Sequence, residues 1–311
     1  MATALYTHEN CKKHITPHGH PERVDRLEAI ELALSDSRFD TLDRRAAPLA
    51  NPDELMRCHP EKYVSQIKAA VPDEGDHALD GDTHVSPGSW DAALSAVGAA
   101  TSAVDAVIAG EVANAFCATR PPGHHAETAK PMGFCLFGNA AIAAKRALDH
   151  HGLSRVAVVD FDVHHGNGTQ DLLWSETRSL FVGSHQMPLW PGSGREDETG
   201  SADNVLNLPL QPGTAGAGFR QTWQTHGFPA LDRFAPELIV ISAGFDAHID
   251  DPLAQLSLQE ADFAWVTENL CELADTHCGG RIVSVLEGGY DLRALAASTA
   301  AHVHVLMQRG Q

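Results

Sequence analysis

The stretch Arg155-Val-Ala-Val-Val-Asp160-Phe-Asp162-Val-His164-His165-Gly-Asn167-Gly168 decides how the chain is read. A β-branched apolar run ends on acidic and imidazole side chains, then passes through glycines into an amphipathic segment. That is the pattern of a buried strand leading into a helix. It recurs along the chain. Residues 2–6, 112–119, 179–184, 205–208, 237–242 and 281–286 also read as strands, and 139–151, 168–175, 216–234, 259–277 and 292–308 read as helices. Before residue 110, helices are expected near 21–34, 52–70 and 89–108. Short strands alternating with longer helices predict βαβ units around a parallel sheet. No linker, low-complexity tract or internal repeat interrupts them, so residues 1–311 are expected to form a single α/β domain.

Composition narrows the function. The 311 residues carry 22 Lys plus Arg against 41 Asp plus Glu, a net charge of −19. Binding to nucleic acid through counterion release is therefore not expected; a cationic substrate or a saline environment suits this charge better. No run is read as long and apolar enough to span a bilayer, and the start MATALYTHEN lacks a basic and apolar leader. A soluble, cytoplasmic protein with no membrane partner is the expectation. The six cysteines show no C-x-x-C pair and no dense spacing, as expected of reduced thiols. The 19 histidines stand out, and their clustering carries the chemistry.

In an open parallel sheet, ligands bind beyond the carboxyl ends of the strands. Four segments rich in reactive side chains fall there: 160–167, 119–125, 287–290 and 244–252. In the first, Asp162 and His164 lie two apart in a strand extension and project to one side, a spacing that lets both bind one metal. A catalytic zinc takes three protein ligands and keeps a position open; Asp246, just past the apolar run 238–241, supplies the third. The second segment, Arg120-Pro-Pro-Gly-His124-His125, sets two imidazoles after a stiff turn, suited to acid/base work, with Asp160 and Asn167 available to orient them. In the third, Glu287-Gly288-Gly289-Tyr290, two glycines allow a tight turn that aims a phenol at a developing oxyanion. Outside these four, Gly133-Phe134-Cys135 offers an aromatic wall beside the histidines.

Together RPPGHH, GFC, DFDVHHGNGTQ, SAGFDAHIDDPL and EGGY resemble, in order and spacing, the histone deacetylase family of the arginase/deacetylase superfamily, from His20-Pro21-Glu22-Arg23 to Tyr290. The resemblance implies one α/β domain with a central, mostly parallel sheet of about eight strands. It implies hydrolysis of an acyl amide on a primary amine, most of all acetyl-lysine, with one zinc per chain. By position, Asp162, His164 and Asp246 become the metal ligands, His125 the general base and later acid, His124 paired with Asp160 its electrostatic partner, and Tyr290 the group that polarises the carbonyl. Phe134 and Trp190 would wall a channel for a linear stem, with Gly133, Gly288 and Leu253 facing substrate and Asp82 contacting its backbone. Asn167, where class I enzymes carry Asp, points to the class II branch and its bacterial amidohydrolase relatives; Tyr290 argues against class IIa, which has His there. Leu253 matches class II lysine deacetylases, whereas polyamine-selective relatives place Glu. The resemblance further implies potassium near the zinc, held by carbonyls of the Asp160–His164 loop and by Ser184. An acylated lysine peptide or a small acylated amine is the expected partner, and a homo-oligomer is compatible with the family.

Two other classes fit less well. A two-metal arginase-like hydrolase needs further carboxylates, yet Gly244 stands where those enzymes carry a bridging Asp. A noncatalytic binder would have shed part of the machinery, and every ligand, both histidines and the tyrosine are present. No phosphate-binding glycine loop appears, since Gly213 to Gly218 has the wrong spacing and no following Lys.

Overall fold

The computed structural model describes residues 1–310. Its strands, in chain order, are β1 (Thr3–Thr7), β2 (Asp43–Ala46), β3 (His77–Ala78), β4 (His84–Val85), β5 (Asn114–Cys117), β6 (Val156–Asp160), β7 (Ser179–Gln186), β8 (Val205–Leu210), β9 (Leu238–Ala243) and β10 (Ile282–Leu286). The helices are α1 (Asp25–Ala33), α2 (Pro52–Leu55), α3 (Glu61–Ala70), α4 (Ser89–Ile108), α5 (Asn139–Asp149), α6 (Asn167–Leu173), α7 (Gly216–Thr222), α8 (Phe228–Phe234), α9 (Glu260–Cys278) and α10 (Leu292–Arg309). Eight strands form one sheet in the order β2-β1-β5-β10-β9-β6-β7-β8, and every neighbouring pair is parallel. Strands β3 and β4 make a separate antiparallel hairpin.

The apolar runs follow from burial on both faces. Along β6 and β9, Ala157, Val159, Ile239 and Ile241 enter a core shared with Leu27 and Ile30 of α1, Phe263 of α9 and Leu295 of α10. The alternate residues Val156, Val158, Leu238 and Val240 enter the opposite core with Val104 of α4 and Ala140 and Ala144 of α5. Period-two alternation is thus present, but both sets are apolar.

Four expectations shift. Strand β2 carries Asp43-Arg44-Arg45 and has no apolar run to announce it; as an edge strand it keeps charge at the rim, where Arg45 pairs with Asp43 and Glu111. The helix expected over 52–70 breaks into α2 and α3 because Pro60 cannot sit inside a helix and instead opens the second. The helix expected over 216–234 bulges through a π-turn at Trp223–Gly227, where the buried Trp223 indole donates to Ser184 Oγ at 3.1 Å. Finally, α4 is long and apolar enough to cross a bilayer, contrary to the reading that no run reaches that length, but 78% of its apolar window is buried inside the domain.

Several histidines are structural and neutral. His302 is buried with both ring nitrogens bonded, to Thr267 Oγ1 at 2.7 Å and Ser284 Oγ at 2.8 Å. Burial pushes His302 and His165 down to about 3, and His14, His59 and His185 down to about 4. The unfolded chain takes up protons near pH 6.5 that these folded sites refuse. Stability is therefore complete above that pH and is lost as pH falls below it, at up to about 1.4 kcal/mol per pH unit for each such histidine. Thermal unfolding followed by circular dichroism should give a flat melting temperature above about pH 7 and a steep fall between about pH 6 and 4. His302→Gln, which cannot be protonated, should flatten that fall, and an unchanged slope would remove His302 from the explanation.

Candidate metal centre and active site

From β5 the chain crosses to β6, leaving two places between them that β10 and β9 fill later. The four central strands therefore end side by side, and the loops leaving their carboxyl ends meet at the point where strand order reverses. They bring His124 and His125 after β5, Asp162, His164 and Asn167 after β6, Asp246 after β9, and Tyr290 after β10.

Asp162, His164 and Asp246 offer one ligand atom each within 4.8 Å of one another. They lie in a loop, not in an extended strand, and backbone donors aim them. The N–H groups of His164 and Gly288 bond Asp162 Oδ1 and Oδ2 at 2.9 and 2.8 Å, and that of Val163 bonds Asp246 Oδ1 at 2.9 Å. His164 Nδ1 faces both carboxylates, 2.9 Å from Asp246 Oδ2 and 3.3 Å from Asp162 Oδ1. Against the effect of burial, these carboxylates raise the His164 imidazole to about 10, while burial and the neighbouring Asp162 raise Asp246 to about 7. Two buried carboxylates and an imidazole converging in this way form a donor set for a single divalent cation, which would replace the protons the site otherwise holds. Gly244 and Gly288 admit the cluster. A Cβ at Gly244 would lie 2.0 Å from Asp162 Oδ2, and one at Gly288 2.4 Å from Asp246 Oδ2. A bridging Asp at position 244 has no room.

The two histidines sit with ring centroids 3.9 Å apart. His124 Nδ1 bonds Asp160 Oδ2 at 3.0 Å, and His125 Nδ1 bonds Asn167 Oδ1 at 2.8 Å. Their environments push them apart. Burial disfavours charge on His124, but Asp162 and Asp160 outweigh it and hold it well above the usual range. Burial, His124 and His164 hold His125 well below that range and keep it neutral. Such a split separates an electrostatic partner from a base. Beneath them, Glu287 Oε2 accepts from the backbone N–H of Gly123 and His124 at 2.7 and 3.1 Å, and Oε1 accepts from Ser242 Oγ at 3.2 Å.

Tyr290 closes the opposite side. Its backbone N–H donates to Asp251 Oδ2 at 2.7 Å, and Asp251 Oδ1 accepts from Leu253 N–H at 3.0 Å. Burial pushes the phenol well above its ordinary value, so it stays protonated. The Arg26 guanidinium stands 5.0 Å from the ring centroid and donates from Nε to the Gly289 carbonyl at 2.7 Å. Arg26 is held by buried Glu22 at 3.2 Å, and Glu22 in turn binds Arg120 through both carboxylate oxygens. This buried Arg–Glu–Arg cluster ties the N-terminal loop to those after β5 and β10, and α1 starts at Asp25 rather than at residue 21.

His125, His164 and Tyr290 line a cavity of about 350 Å³ that also takes in Asp82, Gly133, Phe134, Trp190 and Leu253. Phe134 meets Tyr290 edge-on with centroids 5.8 Å apart, and Trp190 meets His125 at 4.7 Å. Of the residues expected to face substrate, Gly288 alone does not line this cavity; its N–H is spent on Asp162, which makes it a support of the metal ligands. Ser184 is buried at the end of β7, and its oxygen keeps a lone pair beyond the Trp223 bond, which suits a potassium ligand. His14 neither lines the entrance nor meets solvent; it is buried against Ser89 and Glu22. Glu22, Arg26, Asp251, Glu287 and Glu127, whose carboxylate bonds Asn167, were not singled out from sequence.

Comparison with known proteins agrees with this geometry. Residues 20–306 match the histone deacetylase domain. The chain is 42% identical over 278 residues to the "Histone deacetylase-like amidohydrolase" of Pseudomonas aeruginosa, covering 88% of this chain and 73% of that protein. It is 37% identical over 301 residues to a "Probable deacetylase" of Archaeoglobus fulgidus, covering 94% and 82%. The crystal structure of the HDA15 HD domain superposes with a TM-score of 0.94 at 33% identity, covering 99% of this chain and 88% of that one.

Gly244→Ala should therefore disrupt Asp162 and weaken divalent-metal binding at least about tenfold. Metal content after dialysis and calorimetric titration measure this; wild-type affinity in a folded variant would contradict the packing argument.

Proposed function

Because the chain belongs to the histone deacetylase family, we propose that it is a zinc-dependent amidohydrolase that removes the acetyl group from an acetylated lysine side chain. The observation that carries this reading is the convergence of a three-ligand metal set, a neutral and a charged histidine, and a protonated tyrosine, with His125, His164 and Tyr290 opening onto one cavity. Asp162, His164 and Asp246 would hold one zinc. When bound, zinc supplies Lewis-acid polarisation of the amide carbonyl and brings the pKa of water toward neutrality.

His125, with its Nδ1 proton directed at Asn167, offers the Nε2 lone pair to the attacking water and takes its proton. His124, held cationic by Asp160 and Asp162, stabilises the negative charge that builds beside it. The Tyr290 hydroxyl donates to the carbonyl oxygen as that oxygen becomes negative. His125 then returns its proton to the departing amine. Phe134 and Trp190 flank an aliphatic stem, and Leu253 keeps the wall apolar where a polyamine would need a carboxylate. A potassium ion held by the 160–164 carbonyls and Ser184 would sit beneath the site.

Tyr290→Phe should lower kcat by about 10² or more while leaving zinc content unchanged; full turnover would end its assigned role. The ratio of kcat/KM for an acetyl-lysine peptide over acetylspermidine should be about ten or more, equivalent to about 1.4 kcal/mol in transition-state binding. The reverse ratio would make a small acylated polyamine the substrate.

A further inference from the structure

His125 works as a base only in one tautomer, with the proton on Nδ1 and the lone pair on Nε2. A carboxylate at position 167 would enforce that tautomer with either oxygen. Asn167 does not do so by itself. Its amide oxygen accepts from Nδ1–H, but the same amide turned over would present N–H groups and favour the opposite tautomer, which leaves Nε2 protonated and useless as a base.

The structure holds a device that removes this ambiguity. Asn167 Oδ1 lies 2.8 Å from His125 Nδ1, and Asn167 Nδ2 donates to Glu127 Oε1 at 2.8 Å, with longer contacts to Met132 Sδ at 3.3 Å and the His125 carbonyl at 3.5 Å. A carboxylate can only accept, so the bond to Glu127 exists in one amide orientation alone. Glu127 is itself fixed relative to Asn167. Its N–H bonds the Lys130 carbonyl at 3.0 Å in a short antiparallel bridge. The next residue, Thr128, donates from its backbone N–H and its hydroxyl to Asp171 Oδ2 at 2.8 and 2.6 Å. Asp171 lies on α6, whose first residue is Asn167. One helix thus carries both the amide and the anchor of the turn that orients it.

We propose that Glu127 is a positioning residue for the reaction: it locks the Asn167 amide and, through it, the tautomer of His125. The inference rests on His125 acting as the base in the function proposed above. Glu127→Gln keeps an acceptor oxygen without charge, and Glu127→Met keeps the length without any acceptor. In the zinc-loaded full chain acting on an acetyl-lysine peptide, Met should lower kcat about tenfold or more with KM within about twofold, and Gln should stay within about threefold of wild type.

Long-range nitrogen–proton spectra of the His125 ring, assigned by their loss in His125→Gln, give a readout independent of turnover. They should show the Nδ1-protonated tautomer in the wild type and in Glu127→Gln, and its loss in Glu127→Met. Should Glu127→Met fail to fold, Asp171→Ala, which removes the acceptor of both Thr128 bonds and frees the turn from α6, carries the same expectation as Met in both measurements. Equal kcat losses for Gln and Met, wild-type turnover in Met, or an unchanged tautomer in Met would overturn the lock. A wild type inactive on amides would overturn the proposed function alone, because the spectra still decide the tautomer.

Discussion

Everything at the carboxyl end of the sheet depends on compensating negative charge that has been taken out of water. Asp160, Asp162, Asp246, Asp251 and Glu287 are all buried there, with Glu22 close behind. An isolated buried carboxylate is too costly to keep, so each must find donors or a cation. The loops are shaped to supply them. Backbone N–H groups of Gly123, His124, Asp162, Val163, His164, Leu253, Gly288 and Tyr290 all point at these oxygens. His124, His164, Arg26 and Arg120 supply positive charge. In the candidate metal site, Asp162 and Asp246 keep oxygens within 4.8 Å of one another and of the His164 ring nitrogen.

That arrangement explains why the chemistry stands on β5, β6, β9 and β10 rather than on the outer strands. The central four strands bring their carboxyl ends within reach of a common point, between apolar cores on both faces of the sheet. The same burial that makes the carboxylates costly separates the two histidines into one cation and one neutral base.

Much of this was legible in the sequence, for reasons that can be named. The runs Val156–Val159 and Leu238–Ile241 are apolar at every position, so the central strands announce themselves, and the acidic and imidazole residues past them read directly as ligands. Edge strand β2 stayed hidden because Asp43-Arg44-Arg45 has the composition of a loop, and only its register against β1 makes it a strand. Glu22, Arg26 and Arg120 escaped because their partners are 98 positions apart along the chain in one case and 263 in another. Gly288 was expected to face substrate; its N–H turns toward Asp162 instead, a contact 126 positions away that no local pattern marks.

Asp251 joins two elements with different duties. One carboxylate oxygen holds the backbone of Tyr290 and the other that of Leu253. In the function proposed, the phenol that would meet the reacting carbonyl and the apolar wall that would sort one amine from another are therefore mechanically a single part. A change of shape at the wall is transmitted to the phenol across one side chain. Selectivity and rate in this scaffold are for that reason not independent variables: reshaping the Leu253 loop for a wider amine displaces the tyrosine as well, unless the Asp251 bracket is rebuilt along with it.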